Sequence, residues 1–168
     1  MNASLRIVCS GTSYRTNAPP LNAPVRPELA RELERVLECF ARGAGFGPQE
    51  RVLVTFGPGV VGHHQNGRAA DIYEVAGVGL HRWFDQWLRH LREASWADPI
   101  TRQNLIRRAC RQNLGWRLYK TLQTLGRWAR PPGYPVQLFG PWTRLEGPLR
   151  AISDRLLRAH FDHIHIAK

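Results

Sequence analysis

A chain of 168 residues with 43% apolar composition, six Trp and six Phe can bury one core and is too short for several. No stretch approaches the roughly 20 apolar residues that cross a bilayer, and Met-Asn-Ala-Ser-Leu-Arg-Ile-Val-Cys at the start lacks the charged region and long apolar block of a secretory signal. The formal charge of +11 is almost all arginine, since only Lys120 and Lys168 are lysines; it fits either a GC-rich coding bias or attraction to a polyanion such as cell-wall polymer, nucleic acid or anionic membrane.

Residues 1–27 are rich in Pro, Asn, Ser and Thr and read as an irregular arm that holds one short strand at Leu5–Cys9. Pro27 and Glu28 open a helix to about Arg42, with Leu29, Leu33, Val36, Leu37 and Phe40 as its apolar stripe and Gly43 as its stop. Arg51–Phe56 reads as a strand broken by Gly57-Pro58-Gly59, and a second strand covers about Arg68–Val75. Over 79–95, Leu80, Trp83, Phe84, Trp87, Leu88 and Leu91 repeat at helical spacing and predict a core-facing helix. Asp98 and Pro99 form an N-cap and N1 pair for a helix through Leu114, closed by Gly115, and another helix spans about 116–129.

After the proline-rich break at 131–135, a short strand is expected at Val136–Phe139 and a last helix from Pro148 to about His160. Asp162–Ala167 closes the chain as a strand. Helices and strands are segregated, which predicts one α+β domain over 1–168: a small antiparallel sheet packed against several helices, with 79–129 a helical insertion. The three cysteines, Cys9, Cys39 and Cys110, form no CxxC, so a disulfide framework is not expected, and Cys39 and Cys110 are expected as buried reduced thiols. Trp142, in a Gly-Pro-Trp loop, is expected to pack inside, and the arginines at 102, 107, 108 and 111 to form a solvated helix face.

Two stretches carry the chemistry. His64-Gln-Asn-Gly-Arg-Ala-Ala-Asp71 offers a nitrogen and an oxygen ligand, with Gly67 permitting a tight bend between them. A carboxylate such as Asp71, entering an apolar strand, needs a partner, and a cation would supply it. Asp162-His163-Ile164-His165 adds two imidazoles on one strand face and a carboxylate. Asp162 can approach the same point only if the strand starts with a bend. Three N/O ligands plus one free carboxylate is the donor set of a hydrolytic zinc site.

The pattern His64, Gly67, Ala69, Asp71 followed by Asp162-xx-His165 resembles the zinc D-Ala-D-Ala carboxypeptidases. The same pattern runs through the L-Ala-D-Glu endopeptidases of phage lysins, the vancomycin-resistance D,D-dipeptidases, murein endopeptidases and the Hedgehog signalling domain. The resemblance covers about a dozen residues at two places. It implies a Hedgehog/D-Ala-D-Ala peptidase-like fold with Zn2+ held by His64, Asp71 and His165, Asp162 as base, and His163 beside the scissile carbonyl. It further implies peptidoglycan stem or cross-link peptides as substrate, cut by a carboxypeptidase or an endopeptidase. The family's Ser two residues before its first ligand is Gly62 here, and His63 stands beside His64 as an alternative ligand. The family's Ser-Gly-Tyr-Arg-Ser segment, which holds a substrate carboxylate, has only a loose echo in Ser13-Tyr14-Arg15-Thr16, making Arg15 a weak substrate-binding candidate.

Expected partners are therefore a peptidoglycan peptide and, through the basic surface, anionic wall polymers, with no membrane span and no nucleic acid. The expected route is synthesis in the cytoplasm and action in the periplasm or cell wall by non-classical release, or a trimmed mature form. Three other readings stand beside this one. A non-catalytic Hedgehog-like zinc domain would bind a partner protein, but has no use for a spare base at Asp162. A metal-dependent nuclease would use Asp162-His163-Ile164 as the start of an HNH finger, whose further Asn and His do not follow. A basic helical nucleic-acid binder would owe nothing to these residues.

Overall fold

A computed structural model describes residues 6–10, 26–45, 51–55, 67–128, 137–143 and 158–168, with 6–10 and 51–55 described as backbone only. The elements run β1 (Arg6–Ser10), α1 (Pro27–Ala44), β2 (Arg51–Thr55), β3 (Ala69–Val75), β4 (Val78–Gly79), α2 (Leu80–Ser95), α3 (Pro99–Gln112), α4 (Leu114–Leu125), β5 (Leu138–Phe139) and β6 (Ile164–Ala167). The class is α+β. The strand order is β1-β2-β3-β6-β5, with β4 hairpinned onto β3. β2, β3, β6 and β5 pair antiparallel as expected, whereas β1 joins the edge parallel to β2. A parallel neighbour needs a crossover, and α1 lies between the two strands in sequence.

The predicted α1 stripe is the buried one: Leu29, Leu33, Val36, Leu37 and Phe40 are each at most 3% exposed. The helix runs past Gly43 and ends at Gly45, whose φ of 71° supplies the left-handed cap. Gly43 instead offers its carbonyl to the Arg117 guanidinium of α4 at 2.6 Å. β4 escaped sequence reading because it is two residues long. Its turn, Ala76-Gly77, has φ of 54° and 73°, the positive pair that a two-residue hairpin of right-handed twist requires.

The helix boundary expected at Gly115 lies at Asn113 instead. Asn113 is 1% exposed and serves two helices. Its N–H donates to Ala109 O to finish α3, its Oδ1 accepts from Trp116 N at 2.8 Å to start α4, and its Nδ2 donates to Trp83 O at 2.6 Å. Gly115 lies inside the first turn of α4, where Trp83 and Trp142 close over it. Asp98 caps α3 as predicted, accepting from Ile100 N at 3.0 Å and Thr101 N at 3.1 Å. The predicted helix from Pro148 lies outside the described residues save its end at Arg158 and Ala159.

One core joins α1, α2, α4 and a single face of the sheet, through Leu37, Leu80, Trp87, Leu118, Leu122, Ala70, Ile72, Leu138, Ile164 and Ile166. Trp142 is fully buried as expected, with Phe84, Trp116 and Tyr119 rings 5.6–6.3 Å from its own. Cys39 and Cys110 are free thiols but only half-buried, a correction: each sits at the margin of its helix's apolar face. Of the four α3 arginines expected to be solvated, Arg102 has a job as well. It donates to the carbonyls of Ala94, Ser95 and Ala97 at 3.0–3.3 Å, closing the end of α2.

Candidate metal centre

Sheet register builds the site. Alternation along β3 sends Ala70 and Ile72 into the core and leaves Asp71 on the opposite face. Asp71 lies directly across from His165 of β6, and His165 lies across from Phe139 of β5. Residues opposed in this way share a face, so a carboxylate and an imidazole 94 residues apart in sequence meet side by side. His165 Nδ1 is 2.8 Å from Asp71 Oδ1. Gly67 has φ of 64°, so the bend expected just before β3 is present. It is held at its carbonyl by Arg26 N at 2.7 Å.

The bend demanded for Asp162 is present too. Residues 161–163 are bent and β6 begins only at Ile164. Asp162 Oδ1 accordingly reaches His163 Nδ1 at 2.8 Å, while His163 Nε2 lies 3.7 Å from Asp71 Oδ1. The histidines are 10% exposed at the side chain, Asp71 15% and Asp162 58%, so one carboxylate is sunk in the site and the other faces water.

Two donors bound to one tetrahedral zinc at about 2.0–2.1 Å stand about 3.3 Å apart. The Asp71 Oδ1–His165 Nδ1 separation of 2.8 Å is shorter than that spacing and is a hydrogen bond as it stands. To serve as two of the expected ligands, Asp71 and His165 would exchange this hydrogen bond for the metal and move apart by about 0.5 Å. Among the described residues no group of three or more His, Cys, Asp or Glu side chains is arranged to hold a metal ion. The expected third ligand, His64, its alternative His63, and Arg15 lie outside the described residues.

Two residues belong to the cluster that sequence reading did not place there. His160 is half-buried, with its ring 4.9 Å from that of His163 and 5.0 Å from that of His165. Its signal was weak, because it falls in the turn before β6 and outside any strand alternation. Tyr73 lies two residues beyond Asp71, its ring 4.9 Å from His163. The β2–β3 register shifts between Leu53 and Val54, which leaves Tyr73 unmatched on β2. Such a bulge re-aims side chains, and Tyr73 and Glu74 are both half-buried where strict alternation would bury one. Burial first, then the negative charges of Asp71 and Asp162, push the Tyr73 phenol up to about 12. Tyr73 is thus a neutral hydroxyl beside the carboxylate–imidazole cluster at any physiological pH.

The chain matches no protein-family model, no curated protein and no solved structure.

Proposed function

We propose that the chain is a zinc-dependent peptidase acting on the stem or cross-link peptides of bacterial peptidoglycan. The observation that carries this reading is the register of β3 against β6, which brings Asp71 and His165 within 2.8 Å of each other and sets Asp162 and His163 beside them. These are four of the five residues to which the resemblance to the D-Ala-D-Ala carboxypeptidase and Hedgehog group gives a metal-binding or catalytic role. In this reading His64, Asp71 and His165 hold the zinc. When bound, zinc supplies Lewis acidity toward water and toward a peptide carbonyl.

The chain's own residues do the rest. Asp162, the exposed carboxylate of the pair, takes a proton from the attacking water as oxygen bonds to the carbonyl carbon. As the C–N bond breaks, Asp162 returns that proton to the departing amine nitrogen, and the second proton of the water passes from the new carboxyl group to the amine, so the products are a carboxylate and an ammonium. His163 is oriented through Nδ1 by Asp162 and, in this reading, is the group that would donate to charge developing on the carbonyl oxygen. Asp71, the less exposed carboxylate and set between two imidazoles, serves as ligand rather than base.

The test is digestion of purified peptidoglycan sacculi with zinc-loaded wild type and with Asp162→Ala, followed by mass spectrometry of the fragments. Wild type should release cut muropeptides, and Asp162→Ala should lose at least about 100-fold in rate, the range typical of a missing general base. An intact wall after wild-type treatment, or equal cutting by both proteins, removes the proposal.

A further inference from the structure

The turn between α2 and α3 carries the two most exposed large apolar side chains among the described residues, Trp96 at 91% and Ile100 at 75%. One exposed apolar residue needs no explanation. Here two of the largest types stand four positions apart at the tip of a helical hairpin. Much of the backbone around them is paired: Asp98 accepts the N–H groups of Ile100 and Thr101, and Arg102 donates to the carbonyls of Ala94, Ser95 and Ala97. A segment that enters an apolar medium must have its backbone polar groups paired first.

The outward face of α3 continues from that tip. Ala109 is its buried position. On the opposite side, Ile100, Asn104, Arg107 and Arg111 fall within an arc of about 60° at 100° per residue, with Arg108 beside them. All five are exposed. Residues 99–145 contain no Asp or Glu at all. From the α2 side, Glu93 lies 3.4 Å from His90 Nδ1 and lines the shallow groove that Arg108 shares, while Arg92 and Arg89 add positive charge to the same helix.

We propose that this hairpin docks the protein on an anionic phospholipid surface. Trp96 and Ile100 enter the boundary between headgroups and acyl chains, and Arg107, Arg108 and Arg111 pair with lipid phosphates. Guanidinium groups serve any polyanion, so the apolar pair selects among partners. An aliphatic side chain at the exposed N-terminal end of a helix has nothing to contact on a sugar-phosphate backbone. An indole beside an aliphatic residue, flanked by arginines, is the composition that partitions into a bilayer interface. This inference stands on the α2–α3 hairpin alone and is independent of the zinc reading.

Vesicle co-sedimentation tests it, using the full chain with phosphatidylcholine vesicles and with phosphatidylcholine:phosphatidylglycerol vesicles at 3:1. Wild type should partition onto the anionic vesicles and not onto the neutral ones. Trp96→Ser/Ile100→Ser should weaken that partition roughly tenfold or more, and Arg107→Gln/Arg108→Gln/Arg111→Gln should weaken it similarly and flatten its salt dependence. Because all five side chains are exposed, the variants should melt with wild type; Trp96→Ser alone replaces the double variant if it does not. Equal sedimentation with both lipids, or binding that survives the serine substitutions, overturns the proposal. So does binding of a DNA duplex by wild type with no vesicle binding, which would make α3 a nucleic-acid face.

Discussion

Replacing Gly115 with Ala sets two effects of opposite sign against each other. Helix propensity favours Ala over Gly by up to about 1 kcal/mol within a helix. Against it, a Cβ at 115 would stand 2.6 Å from Trp83 Cβ and 2.7 Å from Trp142 Cη2. Ordinary carbon contacts lie at about 3.5–4.0 Å, so something must move by about 1 Å. Trp83 Cβ is fixed to the α2 backbone, and the Trp142 ring is fully buried among Phe84, Trp116 and Tyr119. Neither can swing aside. Overpacking of this kind costs about 1–3 kcal/mol, and contact with a backbone-anchored atom argues for the upper part of that range.

The net expectation is a loss of about 1–2 kcal/mol, or roughly 2–8 °C in Tm for a chain of this length. Urea and thermal unfolding followed by circular dichroism would read it. The strain also has a path to the site. Trp142 lies in the 140–143 turn, where Thr143 Oγ1 accepts from Gly140 N at 2.8 Å and lies 3.2 Å from the Tyr119 hydroxyl. That turn follows β5, and Phe139 packs on His165. Zinc affinity in Gly115→Ala should therefore fall slightly along with stability. A melting temperature equal to or above that of wild type would show that the indole rings are free to yield, and the packing argument would fail.

Asp71→Asn keeps the side-chain shape and removes the charge, so zinc affinity measured by calorimetry should drop by about 100-fold; undiminished binding would place the metal elsewhere. Glu32, buried on α1, accepts from Arg35 Nη2 and Arg127 N at 2.8 Å each and lies 3.8 Å from Lys168 Nζ. Glu32→Gln should cost about 1–2 kcal/mol at neutral pH. The Arg35 hydrogen bond holds this carboxyl below its ordinary value of 4.5, so its contribution is complete above that value and fades as pH falls through the lower folded one. Wild type and Glu32→Gln should thus converge in acid urea titrations, and a constant gap would contradict the sign. The phenol of Tyr73 gains its proton preference in the folded state, so stability should decline as pH rises from the ordinary 10 toward about 12. The ultraviolet difference between wild type and Tyr73→Phe should show a phenolate step near 12, and a step at 10 would refute the burial argument.

Much of the fold was legible because it depends on local period and caps. The α1 stripe, the Trp-rich face of α2 and the Asp98-Pro99 start of α3 are each readable within one or two turns of chain. Glycine misled twice for the same reason. A glycine marks either a chain reversal or a close approach, and only the partner tells which. Gly43 is helical with Gly45 as the cap, and Gly115 is small because two indoles from α2 and the 140–143 turn close over it.

Residue types and spacing alone nominated Asp71, Asp162, His163 and His165, and the requirement for a bend before β6 could be stated in advance. Their convergence depends on strand register, which is set by pairing between chain segments 94 residues apart. His160 and Tyr73 joined the cluster through a turn and a bulge, which break the alternation that sequence reading relies on. Local sequence determines which side chains share a face of one element; only tertiary packing decides which faces meet, because a one-residue slip of β6 along β3 would carry His165 into the core and away from Asp71.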